Sequence, residues 1–530
     1  MFARKAAVAR RSPWSLDSIQ MLVLLNATVA GTAFFKDILQ AMYLGTTVYS
    51  DAFTLAYFIP DTVGNNLFAA ALAVSCVPWL SRVALFSHKR RLRTEAFRLA
   101  AISVGVAALL VASLYRWREA AIGWLAGGVD SSLALTTLPL LVTLLPVTLF
   151  YPIVAVYSSA MQSMGRFVAP AVAPLLLNGV MLCTLVWSAA LEIAPEEGVW
   201  WYSFSVLCGA GAMVLFLISS FYRLVAASSD AARVTGGSAE RSRDGLFSVG
   251  RILLPYLLIL LSTQAIYAVE RALASQAQVG AVTALNYAYR MAQFPIWVFV
   301  AAVSVSVLPQ LSRQFARKDW GEVKKSLSEA LNRVMLIALP TTLLFYFLRE
   351  PLLSVLFQHG EFDESSLSLT AQLLEGYALT IASQSVSVVV LRYFLAVGKM
   401  LMPLAAFAFS ASANIVFDVL FVQWWGVRGL GYAAAAGSLM QVCCLMALLL
   451  LQRGLLPRKN WVRYSFSLLA ANFPLGVLLW GAQQLWLAAS FQFWFWRYLY
   501  LALILMSSSA LYLFCLKNVR FGKWRFHRGV

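Results

Sequence analysis

Long apolar runs separated by short polar turns recur along the whole chain. A bilayer core is crossed by about 20 consecutive apolar residues in a helix. That measure divides the chain into fourteen segments, near 17–45, 49–80, 95–115, 132–160, 167–191, 199–223, 250–276, 281–310, 327–348, 366–396, 401–424, 429–452, 462–488 and 494–516. Runs such as Leu253–Leu261 do not alternate apolar with polar residues, which excludes the roughly ten-residue alternating strands of a membrane barrel. The pattern predicts an all-α polytopic membrane protein. The longest polar stretch, Ala226 to Gly245, is rich in Ser, Gly, Ala and charge and reads as a flexible linker. The expected organisation is an N-lobe of six spans (1–225), a linker (226–247), a second lobe of six spans (248–455), and two closing spans with a basic tail (456–530).

The two lobes repeat. Lys36 sits nine residues before Gly45, and Arg271 sits nine before Gly280. Asp51 matches Asn286 and Pro60 matches Pro295; Val77-Pro78-Trp79-Leu80-Ser81-Arg82 returns as Leu308-Pro309-Gln310-Leu311-Ser312-Arg313. Gly165-Arg166, with Pro170 downstream, returns as Gly398-Lys399 with Pro403. Three landmarks in one order at offsets of 231 to 235 mark an internal duplication. Each lobe has an even number of spans, so the repeats run parallel, related by an axis along the membrane normal. Many transporters build a central site this way.

Composition agrees with a membrane chain. Mean hydropathy is +0.75, with 61% hydrophobic and 12% charged residues, values that exclude a soluble globular protein. The net charge of +18 would suit nucleic acid, but its placement does not. Of the 41 Lys and Arg, five fall on one set of loops (Arg116, Arg118, Arg349, Arg428, Arg497) and five inside spans (Lys36, Arg271, Arg290, Arg333, Arg392). The remainder crowd the opposite loops and the tails, the positive-inside bias, which predicts cytoplasmic termini and no nucleic-acid partner. Lys89-Arg90-Arg91 and Lys523-Trp524-Arg525 suit topology control and anionic lipid. The first apolar stretch is too long for a cleaved signal and contains Lys36 and Asp37. The six cysteines lie in or near apolar spans without zinc spacing, and the three histidines are scattered. No phosphate-binding loop and no Ser, His and Asp set appear, so no enzyme is expected. Arg313 to Leu331, with Trp320, Val323 and Leu327 on one side, reads as an interfacial helix. Phe357 to Asp363 reads as a capped turn or an outer gate.

Charges inside spans cost at least ~2.5–3.5 kcal/mol each on insertion scales and usually face a partner or a cavity. At 1.5 Å per residue, Lys36 lies roughly 13 Å below the turn at Gly45, Asp51 about 9 Å down the next span, and Arg290 about 15 Å below Gly280. Lys36, Asp37 and Asp51 could meet across a hairpin, and Lys36, Arg271 and Arg290 could form a cationic belt suited to an anionic group, phosphate in particular. The bland alternative is ion pairs that only hold helices together. Asn414 and Asp418 are four apart and share a helix face. With Glu270 they offer one amide oxygen and two carboxylates, a set for a hard monovalent cation such as sodium; the alternative is an Asp418 near the outer end, hydrated and without a ligand.

These residues carry a resemblance. Lys36-Asp37-Ile38-Leu39, Asp51-Ala52-Phe53 with Phe58-Ile59-Pro60, and Gly165 to Pro170 running on to Ala173-Pro174 and Leu177-Asn178 are similar to the MurJ/MviN family, the lipid II flippases of the multidrug/oligosaccharidyl-lipid/polysaccharide exporter superfamily. In the second lobe the matching segments are Leu285 to Arg290 with Phe294-Pro295, Leu308 to Ser312, and Phe357 to Asp363. The resemblance implies fourteen spans, a V-shaped pair of lobes, a central cationic cavity, and alternating access that moves an undecaprenyl-pyrophosphate-linked sugar-peptide outward across the bacterial plasma membrane. The last two spans would hold the polyprenyl tail. Lys36, Asp37, Asp51 and Arg290 would take the family's substrate-contacting positions, with Arg271 beside them, and Glu270, Asn414 and Asp418 its sodium site. Three departures stand out. The stretch where the family usually has a pair of Arg is Asp61 to Asn66, without a cation; the Asp before the eighth-span Arg is Tyr289; and the first-span Arg is Lys36, which lacks bidentate geometry.

The expected function is therefore lipid II flipping. Alternatives are a flippase for another undecaprenyl-linked oligosaccharide, such as an exopolysaccharide precursor, a cation-coupled drug exporter, or a non-transport scaffold for cell-wall synthesis proteins. A cation-coupled drug exporter would place acidic rather than cationic residues in its cavity, and a scaffold would not need matched charges in both lobes.

Overall fold

The computed structural model describes residues 16–86, 89–127, 131–227, 244–451, 458–489 and 494–518. Helices account for every regular element among them, and each of the fourteen expected segments coincides with a helix or a run of helices. With no water in the bilayer core, a helix satisfies its backbone groups internally. In chain order the elements are α1 (Leu16–Leu44), α2 (Val48–Pro60), a π-helical stretch (Asp61–Ala69), α3 (Ala70–Phe86), α4 (Lys89–Arg116), α5 (Arg118–Ala126), α6 (Ser131–Leu144), α7 (Val147–Ser163), α8 (Val168–Ala190) and α9 (Pro195–Ala227). Then come α10 (Asp244–Ala277), α11 (Ala281–Pro295), a second π stretch (Ile296–Val300), α12 (Ala301–Ala316), α13 (Trp320–Phe347), α14 (Arg349–Phe357), α15 (Glu364–Val397), α16 (Leu401–Trp425), α17 (Arg428–Leu451), α18 (Arg458–Ala488) and α19 (Trp494–Asn518). Among the described residues 11 helices are long and apolar enough to cross a membrane, or 12 if the bent pair α6–α7 is one span. The two expected spans outside that set are α1, which holds Lys36 and Asp37, and the run from α11 to α12, which holds Asn286, Arg290 and Gln293.

The repeat is visible in backbone geometry. Pro60 and Pro295 each end an α-helix, and each is followed directly by a π stretch. Proline supplies no N–H and its ring crowds the carbonyl four residues back, so the ladder resumes with wider spacing. The Gly165-Arg166 and Gly398-Lys399 landmarks are matching C-terminal caps. Both glycines have φ of +73°, a left-handed value that favours glycine. The Arg166 amide donates to the Met161 carbonyl at 2.9 Å and the Lys399 amide to the Phe394 carbonyl at 3.1 Å, the six-to-one bond of a Schellman cap. Both basic side chains are exposed.

The chain divides into two compact units: residues 1–43 with 48–261, and residues 44–47 with 262–530. The division falls within α10. Of the linker expected at 226–247, the first two residues end α9 and the last four begin α10; residues 228–243 lie outside the described residues, as do both termini. The core of the first unit packs Leu80 and Val83 of α3 with Leu92 and Ala96 of α4, Tyr157 and Met161 of α7, and Met213 and Phe221 of α9. In the second unit Tyr287 of α11 meets Phe357 and Phe362, with ring centroids 5.6 and 6.0 Å away. The Phe357–Asp363 segment forms a capped turn there. Asp363 accepts from the Ser366 amide at 2.8 Å, a bond that holds its carboxyl below the ordinary carboxylate range. The last two helices are tied to this unit by side chain to backbone bonds, from the Tyr464 hydroxyl to the Asn332 carbonyl at 3.1 Å and from Tyr512 to Leu336 at 2.7 Å.

One expected element is corrected. Arg313–Leu331 is not a separate interfacial helix. α12 runs on to Ala316, and α13 begins at Trp320 and continues into the ninth span. Asp319 caps α13 by accepting from the Glu322 amide at 3.1 Å. Val323 and Leu327 are buried within the protein while Trp320, at the start of α13, is exposed, so the apolar face packs on protein beyond its first turn.

Candidate substrate and cation sites

In the first unit, Lys36 and Asp37 lie late in α1, both buried, with Lys36 Nζ 2.8 Å from Asp37 Oδ1. A lysine stem is long enough to turn its ammonium back onto the next residue. One turn on, Gln40 accepts from the buried Tyr202 hydroxyl at 2.9 Å. Asp51, near the start of α2, is also buried. The expected polar level of the first span is thus populated by a cation and carboxylates screened from solvent. Removing such charges from water costs several kcal/mol per ion.

In the second unit, Arg271 of α10 is buried. Its Nη1 donates to the Tyr267 carbonyl at 3.0 Å, and the guanidinium lies 6.0 Å from the Tyr267 ring centroid. The Tyr267 and Tyr289 hydroxyls are 2.8 Å apart. Arg290 follows Tyr289 on α11 and is half-buried. Tyr289 therefore occupies the place of the Asp that the resemblance leads one to expect, and its hydroxyl pairs with that of Tyr267.

A cavity of about 240 Å³ opens among α10, α11, α15, α16 and α17, lined by Thr263, Tyr267, Glu270, Tyr377, Asn414 and Ser438 among others. Glu270 is buried and accepts from the Tyr377 hydroxyl at 2.9 Å. Asn414 packs against bare backbone on α17, where a Cβ at Gly437 would fall 2.2 Å from its Nδ2. Asp418 lies one turn further along α16, outside the cavity lining but within electrostatic reach of Glu270 and Tyr377. It is fully buried (0% exposed), and among the described residues neither of its oxygens has a hydrogen-bond partner; the same holds for Asn414 Oδ1. This burial leaves Asp418 no contact with bulk solvent. Three orphaned acceptor oxygens beside a second carboxylate fit a hard monovalent cation. Among the described residues no three His, Cys, Asp or Glu converge as a metal cluster.

The structure adds a cluster that was not anticipated. Glu375, buried within α15, accepts from Arg428 (Nη2 to Oε1, 2.8 Å), Tyr432 (2.9 Å) and Tyr346 (3.4 Å), while Arg349 Nη2 lies 3.6 Å from Oε2. By their positions between spans, Arg349 and Arg428 read as outer-loop residues. A lone Glu inside an apolar run was the signal to look for cations at its depth.

A family model described as "Lipid II flippase MurJ" matches residues 40–500. The chain belongs to that family. A lipid II flippase of Burkholderia cenocepacia is 26% identical over 496 residues, covering 91% of this chain and 92% of its own. A probable lipid II flippase of Treponema pallidum is 23% identical over 426 residues, covering 79% and 78%. A solved structure described as lipid II flippase MurJ in an inward closed conformation shares the fold with a TM-score of 0.73 at 20% identity, over 94% of this chain and 98% of that one. An inward-facing multidrug resistance MATE transporter of the MOP superfamily follows at 0.64 and 16% identity, over 83% and 95%. Membership makes this a multi-pass transporter rather than an enzyme, and separates it from the drug exporters that share its architecture. It also sharpens the departure after Pro60, where Asp61, Asn65 and Asn66 stand on a π turn.

Proposed function

We propose that this protein flips lipid II, the undecaprenyl-pyrophosphate-linked peptidoglycan precursor, from the inner to the outer leaflet of the bacterial plasma membrane by alternating access. The carrying observation is the family match across residues 40–500, supported by buried cations in each unit, Lys36 in one and Arg271 in the other. Lys36, Arg271 and Arg290 contact the pyrophosphate. Asp37 orients Lys36, and Asp51 adds a second carboxylate that keeps this level polar. Guanidinium pairs with phosphate oxygens bidentately, so Arg290 contributes geometry as well as charge. Glu270, Asn414 and Asp418 hold sodium, which when bound offsets the repulsion between the two carboxylates and favours one packing of α10, α15 and α16. Both termini and the 226–247 linker face the cytoplasm. A Ser228→Cys probe, in a background free of native cysteines, then resists an impermeant maleimide in intact cells; labelling there reverses the orientation.

The test is complementation of a strain depleted of its own lipid II flippase, read by accessibility of lipid II at the outer leaflet. Rescue is expected, with Arg290→Ala inactive though expressed and Arg290→Lys less impaired. Failure to rescue despite good membrane expression favours a second reading, a flippase for another undecaprenyl-linked oligosaccharide. The observation behind that reading is the uncharged or acidic stretch Asp61 to Asn66 where the family resemblance calls for cations.

A further inference from the structure

The π stretch after Pro60 carries a polar cluster that the pyrophosphate contacts do not use. Asp61 Oδ1 accepts from Asn65 Nδ2 at 3.1 Å and from the Tyr151 hydroxyl at 3.5 Å, and Oδ2 accepts from Asn66 Nδ2 at 3.0 Å. Tyr151 in turn meets the Tyr57 hydroxyl at 2.9 Å. The cluster depends on local backbone geometry. In the wide turn, residues four and five after Asp61 both reach back to its carboxylate, one to each oxygen. Gly64 lets α7 close on the turn, because a Cβ there would fall 2.8 Å from the Tyr151 ring. Asp61 and Asn66 are half-buried and Asn65 is exposed, although the span Val48–Ser81 around them is apolar enough to cross a membrane. Polar side chains at such positions face a watery cavity or a ligand, because lipid cannot solvate them. Asp61 also stands ten residues beyond Asp51, roughly 15 Å along the helix, so it belongs to a different level from Lys36 and Asp51.

We infer that Asp61, Asn65 and Asn66 form a subsite for the hydroxyl and amide groups of the substrate's glycan-peptide head, separate from the cations that hold its pyrophosphate. This rests on the lipid-flipping reading above. The chemistry selects against phosphate, since a carboxylate repels it. Each carboxamide turns an N–H toward Asp61, which leaves its own carbonyl oxygen to accept from an incoming hydroxyl or amide N–H. The carboxylate takes further donors of the same kind, and the half-buried Tyr57 ring offers an apolar edge that suits sugar C–H surfaces, while the buried Tyr151 holds the cluster in place. The same backbone device after Pro295 carries Ile296–Val300, all apolar, so the polar set is a property of the first unit and not of the repeat.

The test compares two probes on the purified full chain in detergent: lipid II, and undecaprenyl pyrophosphate, which lacks the sugars and peptide. Wild type binds both. The double variant Asn65→Ala/Asn66→Ala, which leaves Asp61 and the proline in place, weakens lipid II about tenfold, the size of one or two lost hydrogen bonds, and leaves undecaprenyl pyrophosphate within twofold. Asp61→Ala does the same more strongly. Unchanged binding of both probes overturns the subsite. Equal loss for both, with a lower unfolding temperature, makes the cluster a brace for the π turn and also overturns it. A sodium-induced thermal shift that disappears in Asp61→Ala, with lipid binding unaltered, makes it a cation site instead. Wild type that binds neither probe overturns the flippase reading itself, a result distinct from all of these.

Discussion

Two buried carboxylates of the second unit face the same physical problem and meet it differently. Glu375 on α15 is surrounded by donors: Arg428, Arg349, Tyr432 and Tyr346 all reach its two oxygens. Asp418 on α16 is more deeply buried, at 0% against 6% exposed, yet among the described residues neither oxygen is partnered. An ionised carboxylate removed from water costs far more than a domain's net stability unless something compensates it. Glu375 is compensated by the chain, so it is a brace that ties α15 to α14 and α17. Asp418 is not, so its compensation falls to the proposed sodium shared with Glu270 or to a proton on the carboxyl itself. The contrast shows which carboxylate should answer to a change of ions and which to a change of sequence.

The largest expected effect breaks the first half of that contrast. Glu375→Ala leaves two arginines without their acceptor and should lower stability by about 3 kcal/mol, the low end for a broken buried pair because Arg428 is half-exposed. Asp418→Asn, measured by the same thermal unfolding in detergent without sodium, should leave stability unchanged or raise it. Equal destabilisation by both variants would mean that Asp418 has a partner after all. Next comes the response to sodium. A ligand present at 100 times its Kd stabilises by about 2.7 kcal/mol, so wild type should gain up to that amount from sodium, Glu375→Gln should keep the gain, and Asp418→Asn should lose it. An identical gain in wild type and Asp418→Asn would make the orphaned oxygens a feature of packing alone. Inter-lobe spin-label distances with and without sodium sharpen the same point, with a response expected in wild type and not in Asp418→Asn.

The smallest effect belongs to an exposed carboxylate that the chain satisfies locally. Asp363 caps α15, and Asp363→Ala should cost about 1 kcal/mol. The Ser366 amide holds this carboxyl below its ordinary range, so the charged form is favoured in the folded state. Its contribution is complete above the ordinary carboxylate pKa of about 4 and fades as pH falls through the lower folded-state value. The gap between wild type and Asp363→Ala should therefore be constant from neutral pH down to about 4 and close below it. A gap that widens on acidification would contradict the capping role.

Much of this is legible in the sequence alone. Fourteen apolar runs became helices because span length is set by the bilayer. Pro60 and Pro295 marked the ends of α2 and α11 because proline acts on its own turn. Gly165 and Gly398 marked caps because their left-handed backbone suits almost no other residue. Lys36 next to Asp37, and Asn414 four before Asp418, were legible for the same reason, since partners within one helix turn are fixed by helical spacing. The unread features all involve partners distant in sequence. Glu375 gave no local hint of Arg349 and Arg428, 26 and 53 residues away. Arg313–Leu331 has the periodicity of an interfacial helix, and periodicity cannot say whether an apolar face meets lipid or protein.

The sequence by itself determined the membrane class, the duplicated architecture, and which residues are costly enough to demand a reason, because hydropathy, proline geometry and charge burial act over one turn or one span. Only the tertiary structure decided how each cost is met. It decided that Glu375 is held by two arginines while Asp418 is left orphaned, and that the turn after Pro60 gathers Asp61, Asn65, Asn66 and Tyr151 while its repeat after Pro295 stays apolar. Compensation of a buried charge depends on which helices pack against it, and that is set by contacts between residues far apart in the chain.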